Sequence, residues 1–360
     1  MSIYKTIVKG TGQDDFVVTT DKISSGMWAD GAGSITTFYT SSTQSSSNAP
    51  HYLDVYSANP QSDSTAKPQF SIAYGHYNGS GSKGTKGAVG NRASAAIYRQ
   101  LANILLVPGT EQFQFAEDAN TSSTTGANSK PKDIYAISVN RQQLREKMDP
   151  GNWELHISGG LGGVQSTIPL KFIDDSGATT DPSVDAGGRV FNIVSGSIST
   201  GVASTDTIAT AQPGGGYGLF YPDVGILIFN AAVLNTSSSL GTVSGSNVLG
   251  GNNTKFFNAI ASGSKFQARR EEVITSQHYF CRLPNADFNF SANPTFTSGS
   301  IGDGTQGSFT VPTFRHNPKT YVTQIGLYND TNELLAVAKL SKPLLKSFSR
   351  EAIIKVKLDF

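Results

Sequence analysis

Apolar and polar residues alternate most regularly at the end of the chain. Ile354, Val356, Leu358 and Phe360 interleave with Lys355, Lys357 and Asp359, the period of two that half-buries an antiparallel strand. Residues 352–360 therefore predict a strand, and it needs a partner because a lone strand leaves its backbone groups unpaired. The first choice is a strand within 320–341, then the N-terminal part, then a neighbouring subunit. Leu334, Ala336, Ala338 and Leu340 line one face of a further strand, with Tyr321 to Tyr328 as its hairpin partner across Asn329-Asp330-Thr331-Asn332. Residues 16–20, 38–40, 69–74, 113–115, 133–139 and 153–157 predict shorter strands. A hairpin is expected from 217–221 and 225–229, turning at Pro222-Asp223.

The period changes to three and four residues between Arg92 and Leu106, where Ala93, Ile97, Leu101, Ile104 and Leu105 recur. This spacing predicts an amphipathic helix packed by Ile97, Leu101 and Leu105 and ended by Pro108-Gly109. A shorter helix is expected over 141–148, with Asn140 as its N-cap and Asp149-Pro150-Gly151 as its stop. Residues 76–91, 116–131 and 235–254 carry no apolar period and predict loops rich in small polar residues. The run Gly159-Gly160-Leu161-Gly162-Gly163 is the best candidate for a domain boundary. Three parts follow: an α+β part over 1–158, a β-rich middle domain over 159–263 and an antiparallel β part over 264–360. The expected fold class is mainly β with minor helices, in β-sandwich-like antiparallel sheets.

Composition strengthens this picture. Charged residues make up 15% of the 360 positions and 38 are Gly, against about 25% charged in an ordinary globular chain. Straight-chain helix formers are thus scarce, while turn formers and β-branched residues are plentiful. Net charge is +1, from 28 basic and 27 acidic residues spread along the chain. No basic block is present to attract nucleic acid or an anionic membrane, and no apolar run is long enough to insert in a bilayer. The start, Met1-Ser2-Ile3-Tyr4-Lys5, lacks a signal-peptide apolar core, so folding in a cytoplasm is expected. Cys281 is the only cysteine, which leaves no internal disulfide and favours a small packed thiol.

Residues able to carry chemistry are scattered. His51, His76, His156, His278 and His316 form no ligand-spaced pair with one another or with an acid, and packing or surface roles are expected of them. The Gly214–Gly218 run precedes a strand, whereas a phosphate cradle lies between a strand and a helix; Lys83 to Gly87 likewise lacks a preceding strand. Asp174-Asp175-Ser176-Gly177 and Asp303-Gly304 are fragments of a calcium loop without the alternating ligands and closing carboxylate that such a loop needs. Ordinary turns are the expectation for all of these. No catalytic, cofactor-binding or metal-binding residue is assigned.

Several segments carry a family likeness. These are Arg269 to Ile274, His278 to Leu283, Phe288 to Phe296, Asn317 to Tyr328 and Glu333 to Pro343, with Ala96 to Gln100 and Asp149 to Leu155 nearer the start. Together they resemble virion structural proteins of contractile-tailed, T-even-like phages, particularly those infecting cyanobacteria; residues 159–255 take no part in the likeness. The resemblance implies an architectural tail component, in the baseplate or the fibre-attachment region, assembled in the host cytoplasm. It implies no enzymatic activity and no cofactor. Its partners would be other virion proteins and copies of itself, with no nucleic acid and no membrane insertion. Leu344, Leu345, Phe348 and Phe360 are the candidate subunit-interface residues. The rival readings are a fibre protein that recognises host surface glycans, expected to be trimeric with aromatic residues clustered on loops, and a glycan depolymerase with a carboxylate pair in a cleft.

Overall fold

The computed structural model describes residues 6–7, 16–41, 51–78, 91–115, 130–158, 170–177, 182–199, 201–202, 216–237, 240, 250–291, 293–298 and 307–360. The Gly159–Gly163 run and most of the three expected loops lie outside these residues. Strand outweighs helix throughout, and the strands pair antiparallel, so the protein is mainly β with minor helices. Contacts divide the chain into two compact units, Ile23–Glu272 and Met1–Lys22 with Val273–Phe360. That division differs from the expected three parts. Glu154–Ile157 pairs with Leu170–Asp174 in the register Leu155↔Phe172, so strands from before and after the expected boundary share one sheet.

The larger unit is built on this sheet. Its strands run in the order Ser34–Ile35, Phe266–Gln267, Glu154–Ile157, Leu170–Asp174, Gly188–Ser197, Gly218–Tyr221, Ile226–Asn230, Asp133–Val139, Pro68–His76, Leu53–Tyr56 and Tyr39–Thr40. Six strands separate Phe266 from Phe70 along that order, yet their rings lie 5.4 Å apart. Trp28 packs on both, at 4.8 Å and 5.9 Å, and its indole N–H donates to the Phe266 carbonyl at 3.0 Å. The sheet is therefore curled, and its two ends meet through aromatic packing.

Both faces of the sheet are covered, which explains the unbroken apolar run Ile134-Tyr135-Ala136-Ile137. Tyr135 and Ile137 point into the curl with Trp153, Phe172 and Phe229, while Ile134 and Ala136 point out to a second cluster with Leu219 and Ile228. Helix α1, Asn91–Leu105, closes the outer cluster through Tyr98, Ala102 and Leu105. Its buried stripe is rotated from the expected one. Ile97 and Leu101 are half-buried and Ile104 is 47% exposed. Tyr98 decides the rotation: it is fully buried, its hydroxyl donates to the Pro131 carbonyl at 3.2 Å and accepts from the Phe113 N–H at 3.1 Å. Phe113 and Phe115 are buried here without joining a ladder, so the strand expected at 113–115 is absent.

The second helix is shorter than expected. Asn140 caps it by accepting from the Gln142 N–H at 2.9 Å, but α2 covers only Arg141–Leu144. Arg145 turns out of it at φ 56°, and Lys147–Met148 pairs instead with Arg270 and Glu271, which buries Met148 completely. Two further helices were not legible in the polar stretch: α3, Ala231–Ser237, and α4, Gly251–Gly263. Asn230 caps α3 through its side-chain oxygen. Helix α4 packs into the curl, where Phe256 stacks on Tyr135 at 4.6 Å.

In the smaller unit the long strand Arg269–Leu283 lies between Phe16–Gly26 and Ala352–Asp359. The C-terminal strand thus has a different partner from any of those expected, with the register Ser276↔Asp359 to Leu283↔Ala352. Its alternation holds over three of the four expected positions: Val356 is buried and Ile354 and Leu358 are half-buried, while Ile353 on the other face is 61% exposed. Phe360, expected on the covered face, lies past the strand's end and is 71% exposed. The 320–341 region pairs within itself instead, Thr320–Tyr328 with Leu334–Lys346.

Candidate interaction surface

The hairpin of Thr320–Tyr328 and Leu334–Lys346 forms a two-stranded sheet of its own. Its turn is fixed by Asn329, whose side-chain oxygen accepts from the Thr331 N–H at 3.1 Å and the Glu333 N–H at 2.7 Å. Asn332 takes the left-handed conformation, at φ 63°, which Asn tolerates better than most residues. Register shifts at Val322/Gln324 and Leu327/Tyr328 add local twist.

Apolar side chains stand on both faces of this arm. Leu335 and Val337 are 68% and 53% exposed, and Leu334, Tyr321 and Tyr328 are also in solvent. Gly326 pairs with Val337, and the Tyr328 ring and the Leu334 side chain lie over the glycine. Among the described residues no further strand joins it; a two-stranded hairpin alone is marginally stable in water, and its outer edges offer N–H and C=O groups for pairing. The arm thus combines apolar faces with open edges, the combination that strand addition and side-chain docking both use.

The four residues expected at an interface sit at or near the arm's base and at the chain's end. Leu344 and Leu345 are half-buried opposite Val322 and Tyr321. Phe348, two residues beyond the hairpin, and Phe360 are both more than half exposed. Tyr321, Tyr328, Leu335 and Val337 are exposed apolar residues of the arm that were not among the four, although a signal existed. Odd as well as even positions are apolar across Glu333-Leu334-Leu335-Ala336-Val337-Ala338, which a strand with one solvated face does not need.

The arm is anchored by Lys346, 1% exposed. Its ammonium donates to the carbonyls of Asn285 and Ser347, each at 3.1 Å, and to the Asn289 amide oxygen at 3.0 Å. The Thr320 hydroxyl donates to the Phe288 carbonyl at 2.8 Å beside it. Burial pushes the Lys346 pKa down, against the opposing fields of Asp287 and Glu351.

The larger unit holds two polar clusters with the residue types of catalytic sites. In the first, Glu154 accepts from His156 at 2.6 Å, from Lys265 at 3.0 Å and from the Ile198 N–H at 2.9 Å. Glu154 and His156 are two residues apart on one strand and therefore share a face, a pairing overlooked in the sequence. In the second, Asp133 receives both the Tyr74 hydroxyl and His76 Nδ1. Both clusters are hydrogen-bonded ties between strands, and neither carries an activated nucleophile or paired carboxylates. Asp174 accepts from the Gly151 and Ser176 N–H groups, so its oxygens face donors in the turn. Among the described residues no group of three or more His, Cys, Asp or Glu is placed to hold a metal, and no helix is long and apolar enough to cross a membrane.

No protein-family model matches the chain, and the searches of curated proteins and of solved structures returned no significant match.

Proposed function

We propose that the protein is an architectural component of a contractile phage tail, at the baseplate or the fibre-attachment region, where it joins neighbouring virion proteins. The observation that supports this reading best is the solitary hairpin arm, whose apolar faces and open edges are left for a neighbour to cover. The motif resemblance at both ends of the chain supplies the virion setting. The reading needs no chemistry from the Glu154 or Asp133 clusters.

Leu335→Asp with Val337→Asp tests the reading. Both side chains are in solvent, so the isolated protein is expected to melt within about 0.5 kcal/mol of the parent, while incorporation into particles is lost. Incorporation of the doubly substituted chain at parental levels would remove the arm from the interface. Locating the chain in a reconstruction of the intact particle tests the placement, and a position at a fibre tip against host glycan would favour the receptor-binding alternative.

A further inference from the structure

Lys346 is a buried primary amine that makes no ion pair among the described residues. Among the described residues its hydrogen bonds all go to neutral oxygens, those of Asn285, Ser347 and Asn289. Asn289 is itself 7% exposed, and its orientation is set from the other side, because its amide nitrogen donates to the Asn285 carbonyl at 2.6 Å. An ammonium and a side-chain amide, 57 residues apart in the chain, are thus held together with 1% and 7% of their residues' surface exposed. The three donated hydrogen bonds belong to the ammonium; burial eases the loss of one proton, which leaves two N–H groups and a nucleophilic lone pair. Fixing it beside an electrophilic carbon replaces an encounter in solution by an intramolecular step.

We propose that Lys346 and Asn289 react to form an intramolecular amide bond, with Nζ of Lys346 attacking Cγ of Asn289. A bond forms between Nζ and Cγ, and the bond from Cγ to Nδ2 breaks. One proton of the amine is passed to Nδ2, which departs as ammonia. The proton that the ammonium must first give up goes to solvent and is recovered when the departing ammonia is protonated, so the step balances without a further group. No change of oxidation state is involved, so no redox partner is required. The product ties the end of the hairpin to the turn that follows the Arg269–Leu283 strand. Force applied to the arm would then act on a covalent bond instead of on a few hydrogen bonds. The inference stands on this pocket alone and does not depend on where the protein assembles.

The mass of the full-length, denatured protein is the primary test. The expected mass is lower than that of the sequence by one ammonia, and digestion should yield a branched peptide joining the segments around Asn289 and Lys346. In Lys346→Arg, which keeps the charge but cannot form this bond, the full mass should return. A parent protein of full mass overturns the proposal. So does an ammonia loss that persists in Lys346→Arg, which marks a succinimide at an asparagine. If Lys346→Arg does not fold, the branched peptide from the parent protein decides, and its absence is equally fatal.

Discussion

At the scale of single residues, Glu154 illustrates how partners override burial. Burial alone would raise its pKa, but the hydrogen bonds from His156, the Ile198 N–H and Lys265 outweigh it and hold the carboxyl at about 2. His156 shifts down because its own burial outweighs the attraction of Glu154. The folded-state value of Glu154 lies below its ordinary value of 4.5. The ionised carboxylate therefore stabilises the fold above that pH, and the contribution is lost as pH falls towards about 2. His156, also depressed, adds to acid loss below its ordinary value of 6.5, because the unfolded chain takes up the proton first. Urea denaturation at about pH 5 and about pH 3 should show a loss of order 1–3 kcal/mol at the lower pH. Glu154→Gln should be less stable than the parent at pH 5 and less sensitive to acid. Equal acid sensitivity in the two proteins would place the titrating group elsewhere. The Glu154–His156 pair was readable as alternate positions of a strand. Lys265, 111 residues away, was not, because no local period points to it.

At the scale of elements, α1 separates what periodicity captures from what it misses. Its limits were legible from apolar spacing and the Pro-Gly stop, but its inward face turned on Tyr98, an aromatic residue with a polar tip that aliphatic counting leaves out. The rotation has energetic consequences. Leu105→Ala should cost about 2–4 kcal/mol, the range for truncating a fully buried Leu. Leu101→Ala, at a half-buried position, should cost about 1 kcal/mol. Urea midpoints at constant slope would measure both, and the reverse ranking would restore the face expected from sequence. Helix α4 escaped notice because its sequence, Gly251-Asn252-Asn253-Thr254, opens with poor helix formers. Tertiary packing supports it instead: a Cβ on Gly263 would stand 2.1 Å from the His156 carbonyl oxygen. The helix end and the strand approach so closely that only glycine fits between them.

At the scale of the whole molecule, the two units carry different burdens. The larger one holds the aromatic cores inside and outside its curled sheet. The smaller one relies on a three-strand ladder whose apolar positions are mostly half-buried. Deleting residues 352–360 removes an eight-residue pairing with Arg269–Leu283 and uncovers the side chains beneath Ile354, Val356 and Leu358. Limited proteolysis of the shortened chain should therefore cut within 273–351 while a fragment near 23–272 survives. Uniform resistance across both units would mean that the terminal strand contributes little, and degradation throughout would mean that the units do not fold independently.

Local pattern alone determined the predominance of strand, the hairpins at 217–229 and 320–346, the terminal strand, the site of α1 and the Asn140 cap. Each depends on neighbours within a few residues, where side-chain period and turn chemistry act directly. Which strands meet was decided only by the tertiary structure. The terminal strand found Arg269–Leu283, and Lys147–Met148 left its expected helix to pair beside it. The curl that brings Phe70 to Phe266, and the rotation of α1 about Tyr98, likewise needed the folded chain. These outcomes turn on competition between distant surfaces for burial and for backbone partners, and alternation along one strand states that a partner is needed without saying which.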